Sequence, residues 1–260
     1  MMSKIEAFIL GIIQGLTEFL PISSTGHLYL GRNIFGLQEA GLLLDTMLHL
    51  GTLVAVLYFY REEFIKIIKN PFHKLSLLLL VGTLPAVVVG LTFKDYFEEI
   101  SKTGVTIGWE FLLTGAVLWF ADSIKEGRKR MDQINWKDAL FIGSFQAAAI
   151  FPAISRSGLT IAAGLFRKLD RETAAYFSFL LSTPAIAGAV VLQTTEVIQV
   201  GREDISLSAL MIGILASAIF GYIAVKWMIN YLKKHSLKTF AVYVWVLGIT
   251  VLVLQHLRLF

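Results

Sequence analysis

The chain has 260 residues, 56% of them hydrophobic, a mean hydropathy of +0.69 and no cysteine. Soluble domains run at roughly 45–50% apolar residues, so this composition marks a polytopic membrane protein, and the missing thiols exclude disulfides and thiolate metal sites. The net charge of +4, from 23 basic and 19 acidic residues, lies in the connections between apolar runs. It is a topology signal rather than a nucleic-acid surface.

Taken in chain order, the first apolar run opens at Ala7 with no small-residue cleavage site before it, so no cleaved signal peptide is expected. Segment 6–31 is apolar but interrupted by Glu18, Pro21, Gly26 and His27. It reads as helix, loop, helix, dipping into the bilayer and returning to its own side. Spans follow at 41–60 (interrupted by Asp45), 75–93 and 103–121 (interrupted by Glu110). A second broken segment occupies 139–166, and uncharged spans follow at 173–195, 205–225 and 239–257. A bilayer takes about 20 residues of helix, so the prediction is an all-α protein with six transmembrane helices and two re-entrant segments.

The basic residues test that arrangement. Connections 61–74, 122–138, 167–172 and 226–238 carry sixteen Lys and Arg, and those between them, with the C-terminus, carry four: Lys94, Lys102, Arg202 and Arg258. With both broken segments re-entrant, all four basic connections fall on one side, which the positive-inside rule places in the cytoplasm with both termini outside. Trp109, Trp136 and Tyr60, near span ends, read as interfacial anchors.

The two broken segments repeat one another. Gln14 and Gln146, and Ser23 and Ser155, are each 132 residues apart, and Leu50-Gly51-Thr52-Leu53 aligns weakly with 181–184. Three spans between the segments make the second loop enter from the opposite face, giving an inverted-topology repeat. One domain, 1–260, therefore contains a first half of about 1–125 and a second of about 135–260.

The first loop offers Gln14 and Glu18 on one helical face, then Pro21, then Ser23, Ser24 and Thr25 as capping hydroxyls, Gly26 for a close backbone approach, and His27. The second offers Ser155, Arg156, Ser157, Gly158 and, one turn on, Thr160. Helix N-termini and a guanidinium suit a phosphorylated ligand. Glu18 can hold a hard divalent cation or act as a base, with Gln14 beside it, and Mg²⁺ bound with substrate phosphates fits oxygen ligands. Ser24 and His27 both stand as candidate nucleophiles. Ordinary structural roles are assigned to Thr17 and Ser157 as hydroxyls bonded to their own helices, and to His49, His73, His235 and His256 as packing. Glu110 and Asp45 are expected to reach the interface.

These residues resemble the bacterial undecaprenyl-diphosphate phosphatases, membrane enzymes linked to bacitracin resistance. Gln14 to Glu18 resembles that family's (Glu/Gln)-x-x-x-Glu element, and 21–27 its Pro-x-Ser-Ser-Thr-Gly-His. Segment 152–160 resembles its Pro-Gly-x-Ser-Arg-Ser-Gly-x-Thr, with Ala153 where Gly is usual, and stretches 82–86 and 177–184 are also similar. The resemblance implies hydrolysis of undecaprenyl diphosphate to the monophosphate at the bacterial cytoplasmic membrane. It implies Gln14, Glu18, Ser24, His27, Ser155, Arg156 and Thr160 as functional residues. The cation expected from the oxygen donors is Mg²⁺, with Ca²⁺ the alternative. A second lipid-phosphatase class is excluded, since Ala162 stands where its Ser-Arg-x₅-His element requires histidine. The rival class is a transporter or lipid flippase for an anionic substrate, the usual owner of inverted repeats with broken helices. The sequence leaves the oligomeric state open, a homodimer included. The site is expected to open to the extracytoplasmic side, where the first loop enters.

Overall fold

The computed structural model describes residues 2–37, 41–93, 96, 104–125, 127–200 and 205–258. Lys94, Lys102 and Arg202, used in the loop comparison, and the start of the span expected at 103–121 lie outside the described residues. Among the described residues there are α-helices, one 3₁₀ turn at Met131–Gln133 and no strand.

The first segment forms α1 (Lys4–Phe19) and α2 (Ser24–Ile34). Ser3 and Glu6 close a capping box that starts α1. Pro21 holds Leu20 in extended backbone and ends it. Helix α2 doubles back on α1: a Cβ on Gly31 would meet Leu10 and Ile13 side chains at 3.0 and 3.3 Å. Met2, before the hairpin, and Phe35 and Leu37, after it, join one apolar cluster.

The second segment forms α7 (Trp136–Ala148) and α8 (Arg156–Phe166), capped by Asn135 and Ser155. Asp138, at the start of α7, is fully buried and accepts from Lys129 and, at 2.8 Å, from Arg167 Nε just beyond α8. The chain therefore enters and leaves this hairpin at one end of the molecule. The remaining helices are α3 (Leu42–Phe59), the short α4 (Arg61–Lys69), α5 (Lys74–Thr92), α6 (Ile107–Ser123), α9 (Arg171–Val200), α10 (Leu207–Leu232) and α11 (Lys238–His256). Helices α3, α5, α9, α10 and α11 are long and apolar enough to cross a membrane, and α6 is a further apolar helix of 17 residues.

Packing follows the 132-residue offset. Helix α1 lies along α10, α7 lies along α5, and α6 packs on α11 and α3 on α9. The four basic connections meet at one end. Lys74 donates to Asp132 O at 2.5 Å, Tyr176 to Glu63 at 2.5 Å, and Lys233 pairs with Glu172 at 2.9 Å. Asp122 takes Arg171 at 2.6 Å and Ser236 at 2.5 Å. Tyr60 is a correction to the sequence reading. It is buried against Phe59 and Tyr176 rather than placed at an interface, whereas Trp109 and Trp136 are exposed.

The α1–α10 seam is built from small residues, which let helix backbones approach closely in an apolar medium. A Cβ on Gly15 would meet Ser217 O at 2.7 Å and Gly221 N at 2.8 Å, both backbone atoms that cannot yield. Gly15→Val should therefore lower the detergent melting temperature by an amount matching the ~1–3 kcal/mol of overpacking. It should also impair turnover, since Gln14 and Glu18 flank the seam. A Gly15→Val protein with unchanged melting would contradict the packing.

Candidate active site

The loops of the two hairpins interlock, and each supplies what the other lacks. Ser157 Oγ donates to Leu20 O at 2.8 Å, and Ser23 Oγ to Pro152 O at 3.4 Å. Those carbonyls terminate α1 and lie in the facing loop at positions 132 apart. Ser157 thus bonds across to the other hairpin, correcting the expectation that it bonds to its own helix. Thr17 does bond back, to Ile13 O at 2.6 Å. Gly26 and Gly158 mark the close approach: a Cβ on Gly26 would meet Ala153 Cβ at 3.1 Å and Phe111 Cζ at 2.6 Å, and one on Gly158 would meet Pro21 Cβ at 3.3 Å. Ala153 is not among the described non-glycine residues with positive φ.

Glu18 is the centre. It is 6% exposed, and its two carboxylate oxygens face different partners. Oε1 accepts from Arg156 Nη2 of the other hairpin at 2.7 Å. Oε2 accepts from Ser24 Oγ at 2.5 Å and from Gln14 Nε2 at 3.0 Å. Two buried polar atoms beside it have no protein partner, Gln14 Oε1 and Arg156 Nη1. Ser24 is the first residue of α2, placed there by Ser23, whose Oγ accepts from Gly26 N at 3.3 Å. Ser23 holds φ +70°, a conformation that costs on the order of 1–3 kcal/mol for a non-glycine residue and persists where the surroundings enforce it.

His27 stands apart from this cluster. Its Nδ1 lies 2.7 Å from Ser23 O and its Nε2 2.8 Å from Tyr243 OH, with the ring stacked on Tyr243 and edge-on to Phe111. Phe111 and Tyr243 are themselves 132 residues apart. Ser155 caps α8 by accepting from Gly158 N at 3.1 Å, and its Oγ lies 3.3 Å from Ser157 Oγ. Thr25 is half-buried on α2. Thr160 is turned away from Glu18: its hydroxyl donates to Arg156 O at 2.8 Å and lies 2.6 Å from Ser178 Oγ, bracing α8 against α9. The structure thus brings together Gln14, Glu18, Ser24 and Arg156, and gives Ser23, Gly26, Ser155, Ser157 and Gly158 the work of holding the loops.

Four residues gain roles that sequence reasoning missed: His49, Glu110, Thr114 and Tyr243. His49, read as packing, directs Nε2 at Glu18 Oε2 from 3.7 Å. An ionisable residue inside an otherwise apolar span is the signal that finds it. Glu110, expected at an interface, is buried and accepts the Ala153 N–H, while Thr114, one turn on, accepts Ser155 N at 3.2 Å. Helix α6 thereby fixes the second loop. Tyr243 has no sequence signal beyond an aromatic in a span. Asp45 pairs with Arg32 at the α2–α3 junction.

This fold and cluster define a helical, multi-pass membrane protein with a hydroxyl–carboxylate–guanidinium site buried between two hairpins. A hydroxyl bonded to a carboxylate can be deprotonated for attack, and the guanidinium can bind phosphate. A family model described as Bacitracin resistance protein BacA matches residues 7–250. The chain belongs to that family. It is 70% identical over 259 residues, covering all of both chains, to Undecaprenyl-diphosphatase 4 of Bacillus thuringiensis (strain Al Hakam). It is 50% identical, with 98% of each chain covered, to Undecaprenyl-diphosphatase of Carboxydothermus hydrogenoformans, and 40% identical over 98% of this chain to Undecaprenyl-diphosphatase of Alkaliphilus metalliredigens.

Removing the Glu110 carboxylate strands a buried backbone N–H, at a cost of about 1–3 kcal/mol. Glu110→Ala is expected to lower the melting temperature and reduce turnover about ten-fold through a loosened second loop, while Glu110→Gln, which keeps an acceptor, retains most of both. Melting and rate measured together check this, and equal loss in the two variants would contradict it.

Proposed function

We propose that this chain removes the terminal phosphate of undecaprenyl diphosphate, releasing undecaprenyl phosphate and inorganic phosphate and so recycling the lipid carrier for cell-wall polymers. The observation that carries the reading is Ser24 Oγ donating to Glu18 Oε2 at 2.5 Å beside a guanidinium with an unpartnered N–H. Ser24 is the nucleophile. Its O–H proton passes to Glu18, its oxygen forms a bond to the terminal phosphorus, and the bond to the bridging oxygen breaks with undecaprenyl phosphate leaving. Water then attacks the phosphoserine phosphorus. Protonated Glu18 returns its proton to Ser24 Oγ as that P–O bond breaks, takes the proton of the attacking water in its place, and releases it to solvent to restore the carboxylate. Arg156 Nη1 binds the non-bridging oxygens as charge accumulates on them. His27 is less suited to attack, because Ser23 O and Tyr243 OH take both ring nitrogens. It holds Ser23, and through it the start of α2, in place.

A divalent cation, Mg²⁺ or Ca²⁺, fits as a partner of the substrate. Glu18 and the unpartnered Gln14 Oε1 are oxygen donors of the right kind, suited to an ion that arrives largely coordinated by phosphates. Bound there, it would neutralise phosphate charge. Among the described residues no three His, Cys, Asp or Glu gather into a complete protein cage.

The architecture we infer is an inverted repeat of six spans and two re-entrant hairpins in the bacterial cytoplasmic membrane. Support comes from the exchanged packing of α1 with α10 and α7 with α5, and from the four basic connections meeting at one end. Positive-inside counting then places that end in the cytoplasm and opens the site to the outside, where the spent diphosphate is released.

Two outcomes are expected. Glu18→Ala, Ser24→Ala and Arg156→Ala should each reduce phosphate release from a long-chain isoprenyl diphosphate by ~10²–10⁴-fold, the range for losing an acid–base group or an oxyanion donor. The covalent species trapped on the wild-type protein should survive acid as phosphoserine does and vanish in Ser24→Ala. An acid-labile phosphoryl group lost in His27→Ala would make His27 the nucleophile. For topology, cysteines at Lys69 and Lys129 should label only from the cytoplasm, and labelling from outside would reverse the orientation.

A further inference from the structure

His49 is the residue that no step above uses. Its ring sits eight residues into α3, with Nδ1 2.7 Å from Asp45 O. A backbone carbonyl is an acceptor, so Nδ1 carries the proton and Nε2 of the neutral ring presents a lone pair. That lone pair faces another acceptor, Glu18 Oε2, 3.7 Å away. Two acceptors aimed at each other across a buried gap are repulsive unless something positive lies between them. The third group at this corner is Gln14, fully buried, with Nε2 on Glu18 Oε2 at 3.0 Å and Oε1 without any partner. A half-turn of that amide exchanges its oxygen and nitrogen.

We propose that His49 Nε2, Glu18 Oε2 and Gln14 Oε1 are three protein donors to one divalent cation, and that the nitrogen donor shifts its preference from Mg²⁺ and Ca²⁺ toward Mn²⁺. The separation fits: two ligands of one ion, each roughly 2.0–2.2 Å from it, stand about 3–4 Å apart at ordinary coordination angles. The outer contact fits too, since metal-bound histidine characteristically donates its other ring N–H to a carbonyl or carboxylate. Oxygen-only sets suit Mg²⁺, Ca²⁺ and Mn²⁺ alike. An imidazole nitrogen is accepted by first-row transition ions, Mn²⁺ included, and poorly by Mg²⁺ and Ca²⁺, so the added histidine is what separates Mn²⁺ from the other two. Arg156 does not compete for the position, because it engages the other carboxylate oxygen, Oε1. The proposal rests on the phosphatase reading only for the expectation that a cation belongs at this carboxylate.

The test is Mn²⁺ binding by the whole detergent-purified chain, stripped with chelator and free of substrate, followed by loss of the free-ion EPR signal, with Mg²⁺ as competitor. Wild type should bind Mn²⁺ at least ~10-fold more tightly than Mg²⁺. His49→Ala should weaken Mn²⁺ by about 10–100-fold and change Mg²⁺ by less than about three-fold, and His49→Gln should keep Mg²⁺ binding while losing the Mn²⁺ preference. Melting curves confirm that the variants are folded. Equal Mn²⁺ affinity in wild type and both folded variants overturns the proposal, as does a wild type that binds no Mn²⁺, which would place a proton in the gap. Since no turnover is measured, either result leaves the phosphatase reading standing. A protein that binds Mn²⁺ but releases no phosphate counts against that reading alone.

Discussion

A carboxylate 6% exposed within an apolar protein must be compensated, and here the compensation comes from the other half of the chain. Glu18 lies near the end of one broken helix, and Arg156 at the start of another 138 residues away. Leaving one member of such a pair behind costs about 3–5 kcal/mol, so the loops are held together by what each would lose alone. The hydroxyl bonds from Ser157 to Leu20 and from Ser23 to Pro152 serve the same end. They satisfy loop carbonyls that the broken helices leave without an intrahelical partner. Irregular backbone is stable here because each hairpin supplies the other's missing hydrogen bonds.

The remainder of the structure serves that junction. Helix α6 supplies Glu110 and Thr114 to the N–H groups of the second loop, and α3 supplies His49 to Glu18. The glycine-lined seam between α1 and α10 lets Gln14 and Glu18 sit where a larger residue would push them away. Rigid support of this kind suits phosphoryl transfer, where most of the barrier is lowered by positioning and by charges already in place.

Much of this was legible in the sequence, because membrane burial makes polar residues costly and therefore conspicuous. Glu18, Ser24 and Arg156 stand out against apolar surroundings, and Pro21 and the capping serines mark where helices break. The long uncharged runs became helices α5, α9, α10 and α11. What stayed hidden depends on which helix face meets which neighbour. Ser157 and Thr17 look alike in sequence, yet one bonds across the hairpins and the other to its own turn. His49 and Glu110 were assigned bland roles because their partners are distant in the chain. Tyr60, near a span end, turned inward to pack on Tyr176, which no local pattern announces.

The central claim is that Glu18 and Arg156 act as one unit assembled from two halves. A double-mutant cycle on kcat/KM with Glu18→Gln, Arg156→Gln and the pair tests it most directly. Groups that act together are strongly non-additive, so the double variant should lose little more than either single one. Losses that multiply, so that the double variant falls by the product of the two single effects, would show two independent residues and contradict the account.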